Sequence, residues 1–220
     1  MTGPAESSLG AIVVTVSASY GAGGSVVAPK LAERLGVPFY DRLLHGPETH
    51  NAEHILERLS EDERRQQAPS PVVSNLGHMS TLFGFSTQAA ADLDPRPRLR
   101  EEVAANLSRI IRRPDGGVVL GRSAAVVLGK GGTAFHVRLD GPADRRLAQG
   151  MLIEGVAEDV ARAHQVDADR AWTTFTKRVF SRDPTDASLY HLLLDSTVVP
   201  LPACVSLIAD AATATWKRGT

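Results

Sequence analysis

Ala11-Ile12-Val13-Val14-Thr15-Val16, followed without a break by Ser17-Ala18-Ser19-Tyr20-Gly21-Ala22-Gly23-Gly24-Ser25, is the stretch whose reading decides the fold. The first six residues are rich in β-branched side chains and bounded by turn formers, which predicts a strand covered on both faces and central in a sheet. Apolar residues then recur at Val27, Leu31 and Leu35 ahead of Gly36, which predicts a helix closed by a glycine cap. The order is strand, glycine loop, helix.

Working outward, residues 37–40 predict a brief second strand ending at Asp41-Arg42, and residues 51–67 a polar surface helix that Pro69 and Pro71 terminate. Residues 72–97 carry no sustained period. A second ordered half follows. It has a helix over 98–113, a strand Val118-Val119-Leu120 ending in Gly121-Arg122-Ser123, and a strand over 134–139 ending in Asp140-Gly141-Pro142. Then come a basic helix with Arg145 and Arg146, helices over 156–164 and 167–182, a strand over 190–194 closed by Asp195-Ser196, and a helix over 202–217. Alternating strands and helices predict an α/β fold: a three-layer parallel sheet with helices on both faces and right-handed crossovers.

The bulk properties narrow the function. In 220 residues, 43% hydrophobic and 22% charged, a single core is expected rather than a disordered or fibrous chain. Lys plus Arg number 24 against 25 Asp plus Glu. A net charge of −1 provides no global field for nucleic acid or an anionic membrane, so any anion chemistry is local. The N-terminus has no basic start with a long apolar run, and no window reaches the ~20 apolar residues of a membrane span, so cytoplasmic residence is the expectation. One cysteine, Cys204, supports neither an internal disulfide nor a thiolate zinc site and reads as a small buried apolar residue.

In a parallel sheet, ligands bind beyond the carboxyl ends of the strands, where a helix N-terminus presents unpaired N–H groups and a positive dipole end. Gly21, Ala22, Gly23, Gly24 and Ser25 stand at that place; the glycines let backbone curl around phosphate oxygens, and the Ser25 hydroxyl is suited to Mg²⁺. The general phosphate-loop pattern puts a lysine before the hydroxyl residue, whereas this chain has Gly24. A glycine turn that binds nothing therefore stays open. Asp41, Arg42, Arg122 and Asp195 close predicted strands on the same face, where carboxylates orient hydroxyls or Mg²⁺ waters and arginines clamp phosphate. Arg170, Lys177 and Arg178 share helical spacing, which makes either a solvated basic face or a lid that brings arginines over a transferring phosphoryl group. His50-Asn51-Ala52-Glu53-His54 fits H-x-x-E-H, but no third ligand suggests itself and metal hydrolysis is set aside.

Residues 14–25, followed by Lys30-Leu31-Ala32-Glu33-Arg34-Leu35-Gly36-Val37-Pro38-Phe39-Tyr40-Asp41, resemble the opening of cytidylate kinase-like proteins. Gly121-Arg122-Ser123, Asp169-Arg170, Tyr190-His191 and Asp195-Ser196 continue the likeness in order, leaving the middle of the chain poorly covered. The resemblance implies a P-loop nucleoside-monophosphate-kinase-like domain over 1–220, with a variable acceptor-binding insert at 48–116 and a lid-like region at 165–188. It implies ATP and Mg²⁺ as cofactors, Gly21 to Ser25 on the donor phosphates with Ser25 toward Mg²⁺, and Asp41, Arg42 and Arg122 facing a nucleoside monophosphate or other small acceptor. Arg122, Arg170 and Arg178 would carry catalysis. Glycine in place of the loop lysine is itself common in this branch. The chain departs in having Ser17-Ala18-Ser19 where the branch carries Ser-Arg-Glu, and Ser123 where cytidylate kinases carry aspartate. Those departures keep a catalytically weak or inactive nucleotide-binding module open, and a homodimeric scaffold built on the closing helix is the third reading.

Overall fold

The computed structural model describes residues 12–41, 96–121, 123–131 and 134–218. The chain divides into two compact units, Met1–Leu43 with Val103–Thr220, and Leu44–Glu102. In the first unit, β1 (Val13–Ala18) leads to α1 (Gly24–Leu35) and β2 (Phe39–Asp41). After α2 (Arg96–Ile111), which begins in the second unit, come β3 (Gly117–Leu120), α3 (Ala124–Leu128), β4 (Phe135–Asp140) and α4 (Ala143–Glu154). The chain closes with α5 (Glu158–Phe180), a 3-10 turn (Ala187–Leu189), β5 (Leu192–Asp195) and α6 (Leu201–Arg218).

The sheet order is β2-β3-β1-β4-β5 and every pairing is parallel. β1 is central, as its apolar run predicts. Register puts Val14 beside Val118 and Phe135, and Thr15 beside Val119 and His136. Because side chains alternate across a strand, the two faces differ in kind. One buries Val14, Val16, Val118, Phe135, Val137 and Leu139 against Val27, Ala28 and Leu31 of α1 and Cys204, Ile208 and Ala212 of α6. Cys204 is the small core residue expected, and burial pushes its thiol pKa up. The other face buries Thr15, Ser17, His136 and Arg138. These polar groups are tolerated because each is paired: Thr15 Oγ1 with His136 Nδ1 at 2.7 Å, His136 Nε2 with the Gly129 carbonyl at 2.8 Å, and Ser17 Oγ with the Gly121 carbonyl at 3.3 Å.

Gly36 ends α1 at φ 67°, and the last turn is closed by N–H bonds from Gly36 to Glu33 and from Val37 to Ala32. The expected cap therefore forms. Helices over 156–164 and 167–182 are corrected to one continuous α5. Its buried stripe, Ala161, Gln165, Trp172, Thr176 and Val179, contains polar residues that broke the apolar period. Gln165 sits on that stripe because its Nε2 donates to the Ala143 carbonyl at the start of α4, 2.9 Å away. The strand predicted over 190–194 begins later, at Leu192, because a 3-10 turn precedes it. The proposed helix over 51–67 and the His50 to His54 spacing lie outside the described residues.

Candidate functional site

The loop between β1 and α1 is held from four directions. At its start the Ser19 N–H reaches the Leu139 carbonyl at 3.2 Å, and Ser19 Oγ accepts from Arg138 Nη2 at 3.2 Å. The Tyr20 N–H donates to Asp169 Oδ1 of α5 at 3.1 Å. The next three carbonyls are each taken by a side-chain donor: Tyr20 by Arg146 Nη1 at 2.8 Å, Gly21 by Gln149 Nε2 at 2.9 Å, and Ala22 by Ser196 Oγ at 2.8 Å. The Gly23 carbonyl accepts from Val26 and Val27 at 3.0 and 2.9 Å, closing the first turn of α1. Among the described residues, the amides of Gly23, Gly24 and Ser25 donate to no protein acceptor. The loop thus turns its oxygens into the protein and leaves a run of helix-start N–H groups unclaimed.

The glycines are required by contact as well as conformation. Gly21 and Gly23 have φ 72° and 76°, the left-handed region that glycine enters without penalty. A Cβ on Gly21 would stand 1.9 Å from the Arg146 carbonyl oxygen, and one on Gly23 2.6 Å from Leu201 Cδ2. At Gly24 the obstacle is β1 itself, since a Cβ there would lie 2.5 Å from the Ala18 Cβ. The absence of the loop lysine therefore has a packing reason.

Behind the loop lies a partly buried ionic chain. Arg138 and Arg146 are nearly inaccessible, and each engages Asp140, at 2.6 Å and 3.4 Å; Arg146 also pairs with Asp169 at 2.8 Å. Burial alone would raise the Asp140 carboxyl pKa, but the hydrogen bonds and charge of Arg138 hold it below the ordinary carboxylate value. Arg138 further donates to the Pro184 carbonyl at 3.0 Å, with its guanidinium carbon 4.5 Å from the centre of the Trp172 ring. Tyr20 packs its ring against Gly150 and donates its hydroxyl to Glu154 at 2.8 Å. Burial, then that hydrogen bond, pushes the phenol pKa up to about 12.

Of the residues singled out by sequence, Gly21 to Ser25 form this loop, with Ser25 exposed in the first turn of α1. Asp41 closes β2 and is exposed, its Cα paired with Leu120. Arg42 and Arg122 lie outside the described residues. Arg170 is exposed and Arg178 half-buried on α5, the helix whose Asp169 holds the loop. Asp195 caps its own turn through Thr197 and pairs with Arg145 at 3.0 Å, while Ser196 faces inward to Ala22. Sequence reasoning missed Arg138, Arg146 and Gln149. Their one available signal was placement: an arginine inside a predicted strand, and polar residues on the helix that follows it.

The family model for the cytidylate kinase-like family matches residues 13–198, a span that contains the whole sheet and the loop. The chain belongs to the cytidylate kinase-like family. Its parallel sheet flanked by helices is the P-loop nucleoside-monophosphate-kinase-like fold. Among solved structures, an uncharacterized protein from Eubacterium ventriosum is similar over 92% of this chain and 98% of its own, at 16% identity and a TM-score of 0.59. A shikimate kinase from Bacteroides thetaiotaomicron aligns at 16% identity over 92% of this chain and 98% of its own, with a TM-score of 0.45. A gluconokinase from Sinorhizobium meliloti aligns at 18% identity over 94% and 92%, with a TM-score of 0.43. The first of these likenesses concerns the fold alone. Among curated proteins none matches the chain. No helix among the described residues is long and apolar enough to cross a membrane.

Proposed function

We propose that this cytidylate kinase-like protein is an ATP-dependent phosphotransferase acting on a nucleoside monophosphate or another small acceptor. The observation that carries the reading is the polarity of the loop: the carbonyls of Tyr20, Gly21 and Ala22 are bound by Arg146, Gln149 and Ser196, while the amides of Gly23, Gly24 and Ser25 find no acceptor among the described residues. Such a loop suits the phosphates of a nucleotide, which accept from backbone N–H groups at a helix start. Ser25 is exposed in the first turn of the helix and has a hydroxyl to offer Mg²⁺ at that end; the ion's contribution is to neutralise phosphate charge.

In the reaction an acceptor oxygen bonds to the γ-phosphorus and the bond to the β,γ-bridging oxygen breaks. ADP leaves with that electron pair, and the acceptor's proton, if it carries one, passes to solvent. Asp41, Arg42 and Arg122 would hold the acceptor, and Arg122, Arg170 and Arg178 would balance the charge on the phosphoryl oxygens.

A second reading, a nucleotide-binding module without turnover, is favoured by one observation: Gly24 abuts Ala18, so the loop has no room for a cation of its own at that position. Calorimetric titration with Mg-ATP and CMP, followed by a coupled assay of ADP release, separates the two. Binding with CMP-dependent ADP release supports the kinase, with another small phosphorylated acceptor tried if CMP is inert. Binding without release under any acceptor supports the module. Failure of Mg-ATP to bind overturns both.

A further inference from the structure

We propose that Arg146 is the positioning residue of the glycine loop, and that with Asp169 it makes the shape of the loop depend on helix α5. Arg146 meets the loop twice. Its Nη1 donates to the Tyr20 carbonyl at 2.8 Å, and its own backbone carbonyl stands where a side chain on Gly21 would be. Its Nε donates to the Gly141 carbonyl at 2.9 Å, which ties the same guanidinium to the end of β4. Asp169 completes the clamp with both oxygens, Oδ2 on Arg146 at 2.8 Å and Oδ1 on the Tyr20 N–H at 3.1 Å. Both backbone polar groups of Tyr20 are therefore held by one ion pair, which spans α4 and α5.

The planar guanidinium serves the Tyr20 and Gly141 carbonyls and the carboxylates of Asp169 and Asp140, an arrangement that a lysine ammonium on a flexible stem does not reproduce with the same geometry. Because the pair is mostly buried, its orientation is fixed rather than averaged by solvent. In a loop without a lysine, an anion site depends on how its amides are pre-aimed, and the clamp sets the direction of the peptide that leads into Gly21. Asp169 also precedes Arg170, so the clamp that shapes the loop fixes the turn of α5 that bears Arg170. Arg146 thus acts through the loop and does not itself touch substrate.

The nucleotide half of this inference rests on the phosphate-binding reading above; the loop-shape half does not. The test uses the full chain with Arg146→Lys and, as a variant that leaves no buried charge unpaired, Gln149→Ala. In ligand-free protein, amide hydrogen exchange at Tyr20, whose N–H is held by the Asp169 that Arg146 anchors, is expected to rise about tenfold or more in Arg146→Lys, the scale of losing a charge-assisted hydrogen bond. With Mg-ATP as the probe, Kd is expected to rise by a similar factor and KM for ATP to rise without a matching change in acceptor KM, at nearly constant Tm. Gln149→Ala should shift the same readouts less. Wild-type exchange and wild-type Kd in a folded Arg146→Lys overturn the proposal; if that variant does not fold, unchanged exchange and Kd in Gln149→Ala do so. If wild-type protein binds no Mg-ATP, the phosphate-binding reading fails while the exchange pattern still decides the clamp.

Discussion

Replacing Gly24 with lysine, the residue of the general phosphate-loop pattern, should weaken this protein rather than restore it. A Cβ at position 24 would lie 2.5 Å from the Ala18 Cβ and 3.2 Å from Leu120 Cδ1. Leu120 has rotamers to retreat into; the Ala18 Cβ is fixed to the central strand. Forcing a side chain into such a contact costs about 1–3 kcal/mol, against a gain of about 0.5–1 kcal/mol for lysine over glycine in a helix. A net loss of up to about 2.5 kcal/mol lowers the Tm of a chain this size by up to about 10 °C. The assay is urea unfolding with a thermal scan, run on Gly24→Lys, Ala18→Gly and the pair together. Because Ala18→Gly removes the opposing atom, the pair should show a favourable coupling of about 1–3 kcal/mol. A raised Tm in Gly24→Lys, or no coupling in the cycle, refutes the packing account of the missing lysine; tighter Mg-ATP binding at full stability would do so most directly.

Gly21→Ala combines a left-handed φ of 72° with a Cβ 1.9 Å from the Arg146 carbonyl oxygen, and the conformational part alone is expected to cost about 1–3 kcal/mol in urea unfolding. A loss under 0.5 kcal/mol would show that the loop and α4 move apart freely. Arg138→Met removes the guanidinium 2.6 Å from Asp140, which keeps Arg146 at 3.4 Å and part of its solvent contact; the expected destabilisation is about 1–3 kcal/mol, less in Arg138→Met with Asp140→Asn, and equal losses in both variants would refute the charge argument. Burial holds the pKa of His136 below the ordinary histidine value, and partial desolvation with the nearby Lys130 charge lowers that of the more exposed His191. The neutral rings are in use, since His136 bonds Thr15 and Gly129, and His191 Nδ1 accepts the His136 N–H at 2.9 Å. Below about pH 6.5 the unfolded chain takes up protons that the folded chain refuses, so stability present above that pH is lost as it falls. His136 contributes up to about 1.4 kcal/mol per pH unit and the exposed His191 less. A urea midpoint that does not drop between about pH 7 and about pH 5 rules this out.

Periodicity made the sheet legible: β-branched residues in β1 and the spacing of Val27, Leu31 and Leu35 before Gly36 marked the strand and helix around the loop. It failed where buried positions are polar. Gln165 on the inner stripe of α5, between the two predicted stretches, concealed one helix as two, and Arg138 inside β4 gave no hint of its burial. The loop itself was legible as a glycine turn before a helix, but not its orientation, because the donors that turn its carbonyls inward are Arg146, Gln149 and Ser196, far from it in sequence.

Local spacing alone thus determined the strand, the glycine turn, the capped helix and the alternating α/β order, since those depend on neighbours a few residues apart. Only the folded chain decided which backbone groups of the loop are occupied and which are left over, and why position 24 holds no side chain. Hydrogen bonds between Ser196 and Ala22, or Asp169 and Tyr20, exist only after α4, α5 and the end of β5 have been brought beside β1.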